Sequence, residues 1–125
     1  MKSRDIRDLV HFSDDDVRRG TLFESEHLWS EVICLQGAQG VGPLADASAD
    51  GIVSVLAGEV AAQVGKGRLR LKQWECVLVP AGEELTLRNA SPEPSVVLLV
   101  LSPPPAPPLA PPLAAGQPAS GANAD

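Results

Sequence analysis

The side chains best able to do chemistry in this chain are two histidines, two cysteines and the acids Asp46, Asp50, Glu83 and Glu84. His11 and His27 both lie upstream of the glycine-punctuated middle of the chain, and neither cysteine has a histidine beside it in sequence. A reactive thiol needs electropositive, partly exposed surroundings. Cys34 and Cys76 stand instead inside apolar runs; the two could pair with each other, but with no secretory signal both are expected to be reduced, buried thiols. A transition-metal centre needs imidazole or carboxylate donors that converge within about 2.0–2.2 Å of the ion. Acid–base catalysis uses a positioned histidine or tyrosine with a tuned pKa, or a carboxylate in that role. The chain has no tyrosine, which leaves Glu83 or Glu84 for such work. Lys66, Arg68, Arg70 and Lys72 share one strand parity and Leu69 and Leu71 the other, which predicts a basic stripe over an apolar inner face. Such a stripe blunts a sheet edge, or it receives an acidic partner or a phosphorylated ligand.

The elements that must position these residues read as strands. Glycine and proline recur every 8 to 15 residues, and between them lie short runs of Val, Leu and Ile, the spacing of an all-β barrel or sandwich. The pattern predicts strands over 19–24, 28–35, 51–57, 59–64, 68–71, 75–79, 84–89 and 95–102. Ala57-Gly58 and Gly65-Lys66-Gly67 are tight-turn signals. Ser13 followed by three aspartates predicts one capped turn of helix. Aromatics are few (Phe12, Phe23, Trp29 and Trp74), so branched aliphatics must fill the interior.

The run Val55-Leu56-Ala57-Gly58-Glu59, then Val77-Leu78-Val79-Pro80-Ala81-Gly82, with Asn89 seven residues after that glycine, resembles the two signature motifs of the cupin superfamily. Those motifs read G-x5-H-x-H-x3,4-E-x6-G and G-x5-P-x-G-x2-H-x3-N. The resemblance covers roughly 21–102 and implies a double-stranded β-helix, or jelly-roll, barrel. Anchored on Gly58, it puts Ala45 and Ala47 at the first two histidines and Gly51 at the glutamate. Anchored on Pro80, Gly82 and Asn89, it puts Leu85 at the third histidine and Trp74 at the leading glycine. The family's metal ligands are thus replaced by residues with no donor atom. No metal or other cofactor is expected. By family geometry Ala45, Ala47, Gly51, Val53, Leu85 and Leu87 face inward, lining either a filled core or a small apolar pocket. Strand alternation then points Asp46 outward. Pro80, Gly82 and Asn89 read as structural, Asn89 tying down a loop through side-chain-to-backbone bonds. Trp74 is expected to cover the barrel end or to lie in an oligomer contact.

The net charge of −6 over 125 residues excludes a general nucleic-acid binder, which would show a basic face. The longest purely aliphatic run, 96–101, is far short of the roughly 20 residues of a membrane helix, and the N-terminus shows no apolar signal core. A cytoplasmic protein is expected, with a barrel domain over 1–102 and a Pro/Ala-rich, disordered tail over 103–125. Three functions compete. The first is a metal-free binding or regulatory module, paired as a homodimer through 21–23 and 28–35 as the family implies, with room for a small apolar ligand. The second is a metal-independent isomerase or lyase that uses carboxylates. The third is a scaffold whose tail offers P-x-x-P spacings to a partner.

Overall fold

The computed structural model describes residues 1–105, so the expected tail lies outside the described residues except for its first three positions. Nine strands form two antiparallel sheets. They are β1 (Arg18–Glu24), β2 (Trp29–Leu35), β3 (Gly40–Leu44), β4 (Asp50–Ala57), β5 (Glu59–Val64), β6 (Gly67–Lys72), β7 (Cys76–Val79), β8 (Leu85–Asn89) and β9 (Ser95–Ser102). One sheet runs β1-β2-β9-β4-β7 and the other β3-β8-β5-β6. The two sheets face each other as a jelly roll, and the all-β expectation holds.

The strands follow from their side chains. In β4 Val53 and Val55 are buried and Ile52 is exposed, the period of two that puts branched residues between the sheets. β2 and β9 break that period. Val32, Ile33, Cys34 and Leu35 are all buried, because both faces of the first sheet are covered there. The inner face packs on Val53, Val60, Leu87 and Val97. The outer face, Val32, Cys34 and Val96, lies under Ile6, Leu9 and Val10 of the N-terminal segment.

Three local expectations need correction. β3 went unforeseen because its sequence, GVGPL, carries two glycines and a proline, residues depleted in strands. As the edge of its sheet, β3 tolerates a missing donor. The helical turn is not at Ser13. Ser13 Oγ accepts from Asp15 N at 3.1 Å in a bend, and side-chain competition of this kind displaces helix. A 3-10 turn forms earlier, over Ile6–Leu9, with Asp5 accepting from Arg7 N. Finally, Leu71 is buried but Leu69 is 40% exposed, because β6 is an edge strand and outruns the cover of the opposite sheet.

The motif positions do structural work. Gly58 has φ 79° and turns β4 into β5. Gly82 has φ 87° inside a turn closed by Glu83 N donating to Pro80 O at 3.1 Å. Asn89 is buried and ties the loops as expected. Its Nδ2 donates to the carbonyls of Gly37 (3.0 Å), Ser91 (3.2 Å) and Glu93 (3.3 Å). Trp74 stands where the motif has glycine and takes the backbone glycine favours, φ 76°, with the residue 77% exposed. It covers no barrel end.

Candidate functional site

The site is the open end of the barrel, where β2 supplies Trp29 and Glu31. Both belong to the inward-facing set with Ile33 and Leu35, since Ser30, Val32 and Cys34 point the other way. Arg19 on β1 sits opposite Ile33 in register and reaches Glu31. Its Nε donates to Oε1 at 2.6 Å and its Nη2 to Oε2 at 3.0 Å, a two-pronged pair. The Glu31 side chain is 5% exposed and that of Arg19 27%, so the carboxylate is sealed and the guanidinium reaches the opening. Burial pushes the Glu31 carboxyl above its usual range, against the opposing pull of the Arg19 charge and hydrogen bonds.

In front of this pair lies a cavity of about 30 Å³, room for a water molecule or two. Trp29, Leu44, Val79, Leu85, Leu99 and Leu101 supply its apolar walls. Arg19, Asp46 and Glu83 supply its polar part. Glu84 is exposed and takes no part in the lining.

The six positions expected to face inward separate. Gly51, Val53, Leu85 and Leu87 are buried. Ala45 lines the cavity but is exposed, and Ala47 is exposed and away from it. The reason is that 45–49 is a loop between β3 and β4, where strand alternation does not apply. For the same reason Asp46 lines the mouth instead of pointing outward. Its Oδ1 accepts from Ser48 N at 2.8 Å and Ala49 N at 2.9 Å. Glu31 and Arg19 went unnoticed in sequence because both sit inside ordinary strand runs. The one available signal was a lone acid at an inward parity of an otherwise apolar strand.

A transition metal does not fit these residues. Gly51 stands at the motif's glutamate, and a Cβ added there would meet Leu101 Cδ2 at 2.8 Å, so the space holds a leucine. Among the described residues no three His, Cys, Asp or Glu side chains come together as metal ligands. His27 is exposed beside Glu26, at 3.2 Å, and His11 Nε2 lies 3.1 Å from Asp8 O. The cysteines are both free. Cys34 is buried, with its thiol pushed up by burial and directed at Leu9 O, 3.7 Å away. Cys76, expected to be buried, is exposed on the outer face of edge strand β7. Among the described residues no helix is long and apolar enough to cross a membrane.

No protein-family model matches the sequence, and no curated protein matches it. Solved structures do match the fold. A Thermus thermophilus protein is similar at 26% identity over 84% of this chain and 100% of that one, with a TM-score of 0.79. A Klebsiella pneumoniae protein described by its double-stranded β-helix domain is similar at 19% identity, covering 82% and 90%, with a TM-score of 0.76. An RmlC-like cupin from Desulfovibrio desulfuricans is similar at 20% identity, covering 83% and 98%, with a TM-score of 0.72. Strand order, the two motif turns and these likenesses agree: the chain has the double-stranded β-helix fold seen in cupin proteins.

Proposed function

We propose that this chain is a metal-free cupin module that binds or regulates, works as a homodimer, and takes a small apolar group at the barrel mouth. The observation that carries it is the Leu101 side chain filling the space beside Gly51, with apolar walls around the remaining cavity. A ligand larger than a water or two enters only if Trp29 or Arg19 swings aside. The recognised group is therefore small, and its polar end meets the outward edge of the Arg19 guanidinium. The test is a titration of the protein with toluene, followed by methyl NMR, together with elemental analysis. Shifts confined to Leu44, Val79, Leu85, Leu99 and Leu101, with no stoichiometric metal, support the reading. About one metal ion per chain, or methyl signals unmoved at saturating toluene, refutes it.

A second reading has one observation in its favour. A metal-independent isomerase or lyase needs a carboxyl poised away from its ordinary pKa. Glu31 has that character, while Glu84 is exposed and lies outside the cavity. Under this reading the acid–base group is Glu31, not Glu84, with Glu83 at the entrance. A substrate turned over by the parent and not by Glu31→Gln would favour it.

A further inference from the structure

The basic stripe lies on the free edge of the second sheet. β6 pairs only with β5, so one side of its ladder is open. Gly65 at φ 58° opens the two-residue hairpin that joins them, and the flanking pair Val64 and Gly67 is hydrogen-bonded in such a turn. Alternation along the ladder then ties Leu69 and Leu71 to β5, while Arg68, Arg70 and Lys72 direct their backbone N–H and C=O outward. Lys72 N donates to Glu75 Oε1 at 2.8 Å. Among the described residues, the outward N–H and C=O groups of Arg68 and Arg70 have no partner.

Charge gathers on the same edge. Five of the chain's ten Lys and Arg residues, Lys66, Arg68, Arg70, Lys72 and Arg88, lie at this hairpin or on the outer face of its sheet. Arg70 and Arg88 flank Ala61 in register, one from each neighbouring strand. Glu59 on that face pairs with Arg70 at 2.9 Å, Glu75 reaches the edge at Lys72, and the Glu83 carboxylate lies beside Gly65 of the hairpin. On the opposite side of β6, Leu69 leaves 40% of its surface open. A protein of net charge −6 thus presents one open ladder edge with cations on one face and an apolar spot on the other.

We propose that the free edge of β6 docks an extended acidic segment of a partner protein. The segment adds a strand to the sheet, hydrogen-bonds the backbone of Arg68 and Arg70, faces its carboxylates toward Arg68, Arg70 and Lys72, and lays apolar side chains on Leu69. A second copy of β6 does not fit, since pairing it with itself sets like charges opposite one another. Single-stranded nucleic acid fits poorly, since the face carries no aromatic ring for a base to stack on. This site is separate from the barrel mouth and stands or falls independently of the function proposed there.

The test uses the full chain and a fluorescein-labelled peptide alternating glutamate and valine. Anisotropy should report binding that weakens as salt rises, and hydrogen exchange should show the amides of Arg68 and Arg70 newly protected. Arg68→Glu with Arg70→Glu should weaken binding at least about tenfold, and Arg68→Gln with Arg70→Gln by less. Both variants should keep the parent's circular dichroism, because these side chains are exposed. Equal binding by a backbone N-methylated peptide of the same charge would overturn strand addition. Tighter binding of a single-stranded RNA homopolymer would overturn the partner class. Self-association of the chain that the glutamate pair abolishes would assign the edge to a second copy instead, and no peptide binding at low salt would remove the site.

Discussion

At the level of single residues, the Arg19–Glu31 pair and Trp74 show how local chemistry departs from strand patterning. A buried ion pair adds little net stability, but removing one partner leaves the other charge uncompensated. Arg19→Met is therefore expected to cost about 3–5 kcal/mol, read from urea denaturation. The pH dependence has a definite sign. The Glu31 carboxyl is raised in the folded chain, so its contribution is complete below the ordinary carboxyl range and is lost as pH rises through the raised value. The parent should lose stability relative to Glu31→Gln as pH is raised from about 4. A parent that gains on that variant would mean that Arg19 outweighs burial. Trp74 holds a left-handed backbone at a cost of about 1–2 kcal/mol with most of the residue in solvent. Trp74→Gly gives back part of that gain as extra chain entropy in the unfolded state. A melting temperature a few degrees higher, or unchanged, is expected. A clear drop would show that the ring packs on the surface.

Among the elements, the turns that join the sheets carry more specificity than the strands. Gly58 sits at positive φ, and a Cβ there would collide with Ser95 Oγ and come within 2.8 Å of Pro94 O. Ser95 Oγ in turn accepts from Glu59 N at 3.1 Å and donates to Asn89, whose Nδ2 reaches Gly37 O, so the β4–β5, β8–β9 and β2–β3 connections meet at this point. Gly58→Ala should cost more than about 2 kcal/mol, since the clash involves backbone and the conformation disfavours any Cβ. Asn89→Ala removes several buried hydrogen bonds at once and should cost about 2–3 kcal/mol, shifting the melting temperature by roughly 10 °C. If Asn89→Ala melts within a degree or two of the parent, water replaces its bonds and the hub is less central than its geometry indicates.

For the whole molecule, the two sheets leave different surfaces open. The first sheet is covered over β1, β2 and β9 by the N-terminal segment, while Ile52 and Leu78, opposite one another in register, remain largely exposed. The second sheet shows its basic edge. The proposed homodimer rests on 21–23 and 28–35, of which β1 ends the first sheet, with Arg4 Nη1 donating to its Thr21 and Leu22 carbonyls at 3.0 and 3.2 Å. Sedimentation at high micromolar concentration should give a dimer, and a monomer there refutes it. Trp29 is a poor probe of that interface, since it forms a cavity wall. Trp29→Ala should instead loosen the barrel mouth and change toluene binding.

Much of the fold was legible in the chain itself. Period-two runs such as 51–57, the positive-φ glycines at Gly58 and Gly82, and the spacing of Pro80, Gly82 and Asn89 are local signals, because one strand face or one turn conformation dictates each residue type. The absence of donor atoms at Ala45, Ala47, Gly51 and Leu85 was equally plain. What only the tertiary structure decided depends on neighbours far away in sequence. Whether Leu69 and Cys76 are covered rests on which strands end a sheet. Whether Asp46 faces the cavity rests on a loop that no alternation governs. Arg19 and Glu31 are twelve residues apart, and only the β1–β2 register makes them a pair. Side-chain pattern selects the faces of a strand, but sheet order sets what each face meets, and that order is a property of the folded whole.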